Sequence, residues 1–272
     1  MSKPDLAITY GNVERIVTIA PRMIRLVLGG PGLDEFTSNG STDEYINVQF
    51  VPEGAPYQVP FDVAEARALG AGGRPIPRRF TVRAWDEQAR RLTIDVVVHS
   101  DSGPASSWIH RAKVGDPLQF LGPNGSYRPD LDADWHLLVG DESALPAIAR
   151  SLEAMPADTR VTAVLLVDDA DHQIELDSPA DADVRWLHRM VHPNNPDLLV
   201  QTVAGLDLPD GVPHGFVHGE AGETRAVRKH LLLERGLPKE RFSISPYWRR
   251  NFTDESWREI KKDWMAEMAR DA

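Results

Sequence analysis

Hydrophobic and polar positions change their rhythm once along this chain. Up to residue 121 they come as short β-rich runs separated by Gly and Pro, at 22–28, 44–51, 79–85, 91–99 and 116–121. Runs of that length and spacing predict an antiparallel barrel or sandwich. The stretch 52–77 interrupts them with a long loop that carries a short helical turn over 63–69. After Tyr127 the polar, turn-rich segment RPDLDADW reads as a linker, so two domains are expected, 1–130 and 131–272.

In the second part apolar runs of strand length, at 136–139, 161–167, 184–187, 215–219 and 242–247, alternate with helical patterns at 145–155, 197–206 and 223–235. Such alternation predicts a parallel sheet covered on both faces, a doubly wound domain. A final helix over 254–270 has Thr253 as its N-cap and Asp254 and Glu255 in its first turn, where carboxylates suit the helix dipole. Trp257, Ile260, Trp264 and Met268 recur at helical spacing and give that helix one apolar face to dock.

The length of 272 residues suits two moderate domains, and 42% hydrophobic residues with interspersed charge suit a globular protein. No run approaches the ~20 apolar residues that span a bilayer. The start MSKPDLAITY has no basic region followed by an apolar stretch, so a cytoplasmic protein without membrane insertion is expected. A net charge of −11 repels nucleic acid. The absence of cysteine excludes disulfides, iron–sulfur clusters and thiol catalysis, and leaves redox chemistry to a borrowed cofactor. The histidines form no pair at a metal-ligand spacing, and no Ser, His and acid set stands out. No bound metal and no acid–base catalytic residue are therefore assigned.

Segment 78–83 offers a site for such a cofactor. Phe80 can stack on an isoalloxazine ring, Thr81 can hydrogen-bond beside its redox-active nitrogen, and Arg78 can neutralise a diphosphate, with Val82 and Arg83 completing the strand. A barrel strand with surface arginines is the alternative. Downstream, His99 leads through a turn to Gly103, Pro104, Ala105 and Ser106, where the freed amides of a helix N-terminus suit an anion. A plain capped helix is the alternative there. Taken together, the two segments favour a flavin diphosphate.

These segments resemble the siderophore-interacting protein family, a branch of the ferredoxin–NADP reductase-like flavoenzymes. Arg78, Phe80, Thr81, Val82 and Arg83 are similar to the family's Arg-x-Tyr-Thr motif, and His99, Gly103 to Ser106 and Trp108 to its His and Gly-Pro-Ala-Ser segment. Gly140, Asp141, Glu142, Ser143, Ala144, Leu145, Pro146 and Ala147 resemble its Gly-Asp-Glu-Thr-Ala-Leu-Pro-Ala. Gly219, Glu220, Tyr247, Trp248 and Arg249 resemble its closing elements. Phe80 replaces the family's Tyr and loses a phenolic hydroxyl, while Pro246 and Asn251 stand in place of glycines.

The resemblance implies a six-stranded FAD-binding β-barrel followed by a doubly wound nicotinamide-nucleotide domain with a C-terminal helix. It also places Gly140, Asp141, Glu142, Ala144, Leu145 and Glu220 beside nicotinamide and flavin, with Asp141 and Glu142 as orienting groups. Independently, the Gly140 segment follows the first parallel strand, where doubly wound folds bind nucleotides. A structural helix start is the alternative. Asp168 and Asp169, after the second parallel strand, favour NADH over NADPH. Trp248, Arg249, Arg250, Lys261 and Lys262 are candidates for an anionic iron(III)-siderophore.

The expected activity is that of a monomeric ferric-siderophore reductase, which passes electrons from NADH or NADPH through FAD and releases iron(II). The alternatives are a ferredoxin-coupled flavin oxidoreductase and a flavin-free siderophore carrier.

Overall fold

A computed structural model describes residues 8–70, 72–98 and 103–271, and its chain divides into two compact units, one up to Ser126 and one from Tyr127. The first is a closed antiparallel barrel. Its strands are β1 (Thr9–Ala20), β2 (Met23–Gly29), β3 (Tyr45–Phe50), β4 (Ile76–Asp86), β5 (Arg91–Val97) and β6 (Pro117–Asn124). They run in the order β1-β2-β5-β4-β3-β6, and pairing of β1 with β6 closes the ring and removes every sheet edge.

Alternate residues fill the interior. Leu26 and Leu28 of β2, Ile46 and Val48 of β3, Val82 of β4, and Leu92 and Ile94 of β5 pack around Phe120 of β6. In the loop between β3 and β4, α1 (Val63–Ala68) begins at Asp62, whose carboxylate accepts from the amides of Ala64 and Glu65. A second helix, α2 (Pro104–Arg111), presses Ala105, Trp108 and Ile109 onto the barrel core.

Strand β1 is absent from the runs the sequence suggests. Its pairing with β2 shifts register between Val13 and Arg15 and again between Thr18 and Ala20. Each shift inverts which residues face inward, so the polar and apolar positions never settle into one period.

The second unit is a five-stranded parallel sheet. Its strands are β7 (Trp135–Asp141), β8 (Arg160–Val167), β9 (Asp181–His188), β10 (Pro213–Glu220) and β11 (Phe242–Trp248), in the order β11-β10-β7-β8-β9. The helices are α3 (Leu145–Glu153), α4 (Leu198–Ala204), α5 (Ala221–Lys229), which continues into a π-helical turn at His230–Glu234, and α6 (Asp254–Arg270).

Residues of α4 and α5, including Leu199, Val203 and Val227, bury one sheet face against Trp135, Leu137, Val139 and Val217. On the other face α3 closes directly on Gly140, where a Cβ would lie 2.6 Å from that of Ala144 and 2.8 Å from the His218 carbonyl. The apolar stripe of α6 docks as its spacing predicts, Trp257, Trp264 and Met268 packing with Ala221. Thr253 caps that helix by accepting from the Ser256 amide.

The chain winds outward from β7 through β8 to β9, then returns to lay β10 on the other side of β7. The winding direction therefore reverses between β7 and β10. In open α/β sheets the crevice at the carboxyl ends of such a pair is where ligands bind.

Candidate functional site

In the barrel unit, ring contacts bring the two expected cofactor segments together. Phe80 meets Phe50 edge-on at 6.4 Å, and Phe50 in turn meets Trp108 of α2 at 5.9 Å. β4 and the start of α2 are thus linked through a single phenylalanine of β3. Arg78 lies half-buried on β4 and donates Nη1 to the Pro77 carbonyl at 2.9 Å. Arg79 is exposed above the Tyr45 ring.

Gly103, Pro104, Ala105 and Ser106 open α2, and Gly103 provides no side-chain cap. The first turn carries no acid, and a Cβ on Gly103 would meet nothing within 4 Å. A helix start with no side-chain cap from Gly103 and no acid in its first turn, together with the arginines of β4, forms a donor set that fits the diphosphate of FAD. Thr81 is buried on β4. The Val82 side chain is wholly enclosed in the barrel core, which leaves only its backbone to meet a ligand. His99 lies outside the described residues.

The sequence reading overlooked what holds Arg83. Asp95 of β5 is fully buried, takes both Nε and Nη2 of Arg25 at 2.7 and 2.8 Å, and lies 4.0 Å from Arg83 Nε. The carboxylate is hydrogen-bonded to Arg25 and places a buried counter-charge within ion-pair distance of Arg83. Asp95 alternates with the core residues Ile94 and Val96 and so stands on the outer face of the barrel, where the pattern gives no sign of its burial.

In the second unit the residues expected at the nucleotide site converge on the carboxyl ends of β7 and β10. Asp141 is 1% exposed, and its Oδ2 accepts from the Glu220 amide at 2.8 Å and from Trp248 Nε1 at 2.7 Å. Its Oδ1 accepts from the amide and hydroxyl of Ser143 at 2.9 and 2.5 Å. Glu220 caps α5, Oε2 accepting from the amides of Gly222 and Glu223 at 2.6 and 3.0 Å, while its Oε1 accepts from the Arg250 amide at 3.0 Å. Ala144 and Leu145 are fully buried beneath the start of α3 and support the site from behind.

Two further residues belong to this cluster. Arg189, immediately after β9, donates Nη1 to both oxygens of Glu142 at 2.7 and 2.9 Å and to Asp168 Oδ1 at 3.4 Å. A cation does therefore stand at the end of the second parallel strand, supplied by the third. Burial pushes the Glu142 carboxyl above its usual range, and Arg189 works against that rise. Asp169 instead caps the turn at Ala170–His172 and takes His172 Nδ1 at 2.7 Å.

The other newcomer is Glu223, whose side chain is 8% exposed. Its Oε1 accepts from Arg250 Nη2 at 3.0 Å, while its Oε2 is buried without a hydrogen-bond partner. Burial first, then the neighbouring charge of Asp141, pushes its pKa up to about 7. Glu223 lies three residues after Glu220, the spacing of a capping box, and that spacing could have marked it. A cavity of about 290 Å³ opens beside it, lined by Asp197, Leu199, Val200, Glu220, Ala226 and Arg250 among others.

Four of the residues expected at the substrate, Trp248, Arg249, Arg250 and Lys261, are engaged by other groups of this unit. The Trp248 indole is engaged with Asp141, and Arg249 lies over the Phe252 ring at 4.6 Å. Lys261 donates to the Pro246 carbonyl at 2.6 Å, and Lys262 is exposed on α6. Among the described residues no group of His, Cys, Asp and Glu could hold a metal ion, and no helix is long and apolar enough to cross a membrane.

A closed six-stranded antiparallel barrel followed by a five-stranded parallel doubly wound sheet is a fold shared with the ferredoxin-NADP+ reductase of Plasmodium falciparum, 11% identical with a TM-score of 0.60 over 88% of this chain and 96% of that one. The model of the siderophore-interacting FAD-binding domain matches residues 12–127, and that of the siderophore-interacting protein matches residues 133–251. The chain belongs to the siderophore-interacting protein family. It is 32% identical to the ferric vibriobactin reductase ViuB of Vibrio cholerae over 89% of each chain. It is 30% identical to the NADPH-dependent ferric-chelate reductase of Escherichia coli, over 90% of this chain and 94% of that one. The solved structure of a siderophore utilization protein from T. fusca, 35% identical, covers 93% of this chain and 97% of its own with a TM-score of 0.77.

Proposed function

We propose that this chain is a ferric-siderophore reductase that takes electrons from NADH or NADPH and delivers them through FAD to siderophore-bound iron(III). The observation that carries the reading is the pairing of the arginine strand β4 with the uncapped start of α2, joined through Phe80, Phe50 and Trp108, in a member of a family with an FAD-binding domain. The names of the Vibrio cholerae and Escherichia coli relatives support the same activity.

Arg78 and the α2 amides would hold the diphosphate, Phe80 would face the flavin ring, and Asp95 would keep Arg83 directed at it. Bound FAD supplies the conversion of a two-electron hydride into single-electron transfer. Iron(III), the substrate, is gripped by hard oxygen ligands, and reduction to iron(II) loosens that grip. No side chain has to move a proton to the metal, so the chain's work is binding and orientation. Asp141 and Glu142 serve there as fixed orienting groups, one tied by four hydrogen bonds and the other by Arg189. Cytoplasmic release of the iron by a monomeric enzyme belongs to the same proposal.

An anaerobic absorbance experiment tests it. FAD-loaded protein is treated with NADH or NADPH, then with an iron(III) siderophore and a ferrous trap. Bleaching by a nucleotide followed by reoxidation with trapped iron(II) is the expected result. Protein that cannot be reconstituted with FAD would overturn the mechanism, and a flavin bleached by reduced ferredoxin alone would replace the donor.

A further inference from the structure

The cavity beside Glu223 lies within the nucleotide unit, at the carboxyl end of β10, on one side of the point where the sheet reverses its winding. At about 290 Å³ it stands at the small end of ligand pockets, which run from roughly 300 to 1,000 Å³. It takes one nucleoside, not a whole dinucleotide. The nicotinamide ring must stay free to reach the flavin, so the adenosine half is the part such a cavity would hold. Leu199, Val200 and Ala226 give it an apolar wall for a purine.

Its polar lining is wrong for a phosphate. Asp197, Glu220 and Glu223 contribute three carboxyls against the single guanidinium of Arg250. The amides at the start of α5, which would otherwise attract an anion, are already taken by Glu220. Glu223 lines the cavity, and its Oε2 is buried without a hydrogen-bond partner, an acceptor still short of a donor. An acid in this role accepts from the ribose 2′-hydroxyl of NADH and repels the 2′-phosphate of NADPH.

We propose that Glu223 reads the 2′-hydroxyl of the donor's adenosine ribose and so selects NADH over NADPH. The inference rests on the nicotinamide donor proposed above. In this respect the chain departs from its Escherichia coli relative, whose name specifies NADPH.

Calorimetric titration of the full-length, FAD-loaded protein at pH 8, where Glu223 is ionised, with 5′-AMP and with adenosine 2′,5′-bisphosphate tests the assignment without turnover. The wild type is expected to bind 5′-AMP at least ~10-fold more tightly, a difference of about 1.4 kcal/mol. Glu223→Gln, which keeps the shape and removes the charge, should bring the two ligands within ~3-fold of each other. Ala226→Phe, which fills the cavity, should abolish both titrations while thermal melting reports that the fold is intact. Equal or tighter binding of the bisphosphate by the wild type overturns the proposal whatever the variants do. So does an unchanged ratio in Glu223→Gln, or undiminished 5′-AMP binding in Ala226→Phe. If neither probe binds while NADH still bleaches the flavin, the cavity assignment fails and the donor reading stands. If neither NADH nor NADPH bleaches the flavin, the donor reading itself fails.

Discussion

Trp248, at the end of β11, donates its indole N–H to Asp141 Oδ2 at the end of β7 at 2.7 Å, reaching past β10 to do so. The same oxygen takes the Glu220 amide from β10, so one carboxylate gathers three strand ends. The approach is close enough to dictate a neighbour. At Gly219, with φ of +146°, a Cβ would stand 2.8 Å from that oxygen, in a backbone region that already disfavours a side chain.

Removing this carboxylate should therefore cost more than an ordinary surface change. Asp141→Ala leaves the Glu220 amide and the Trp248 indole short of a partner, and about 2–4 kcal/mol of unfolding free energy is expected to disappear. Trp248→Phe deletes one donor of four and should cost about 1 kcal/mol. Urea unfolding of both variants decides the matter, and equal losses would mean that Asp141 is not the shared anchor.

Local pattern revealed what local physics determines. The alternating runs and the turn residues marked most barrel strands, and the 3.6-residue spacing of Trp257, Trp264 and Met268 marked the docked face of α6. β1 escaped because its two register shifts break the alternation on which such a reading depends. The segments proposed for the flavin stood out in the sequence, since Arg78 and Gly103 offer charge and backbone freedom that a sequence displays. Their supports were not. Asp95 reaches Arg25 across 70 residues of chain, and Arg189 reaches Glu142 across 47, pairings that exist only once the sheets form. Glu223 stood only as the first residue of a helical pattern, and its contact with Arg250 spans 27 residues of chain.

The two neighbouring arginines of β4 should behave differently toward FAD. Arg78 shares its strand face with Phe80 and Val82, whereas exposed Arg79 already engages the Tyr45 ring. Loss of a charge-assisted bond to a phosphate costs about 1.5–3 kcal/mol, so Arg78→Ala should weaken FAD binding by roughly 10- to 100-fold. Arg79→Ala should change it by less than ~3-fold, since a surface charge acts weakly. Fluorescence titration of apoprotein with FAD measures both, and a larger effect at Arg79 would reassign the diphosphate contact.

Glu223 should tax stability above neutral pH. Its folded pKa of about 7 lies above the value of 4.5 for a free glutamate, so between those limits the folded chain holds a proton that the unfolded chain has released. Stability contributed by this group consequently falls as pH rises from 4.5 to 7, by up to about 3 kcal/mol on the full shift. Asp141, Glu220, Arg189 and Arg250 face the group and set that balance. Glu223→Gln is expected to raise the melting temperature at pH 8 and to change it little at pH 5. A variant equally stabilised at both pH values would show that the ionised carboxyl carries no penalty.

His218 should act in the opposite direction on the acid side. Its ring stacks on Phe216 at a centroid distance of 3.8 Å, meets Tyr247 edge-on at 4.9 Å and shares a hydrogen bond of 3.0 Å with Ser243 Oγ. Nδ1 is buried without a partner, so the imidazolium has nowhere to place its second proton. Burial, reinforced by the charge of Lys261, lowers the pKa to about 3 from 6.5. Between these values the unfolded chain binds a proton and the folded chain does not, so stability is lost progressively as pH falls below 6.5. The full shift corresponds to an upper bound on the order of 5 kcal/mol. His136 and His214, both also lowered by burial, add to the same slope. His218→Phe keeps the stacking surface and removes the titration, so its unfolding free energy should fall less steeply between pH 6.5 and 4 than that of the wild type. Parallel curves for the two proteins would place the acid sensitivity elsewhere.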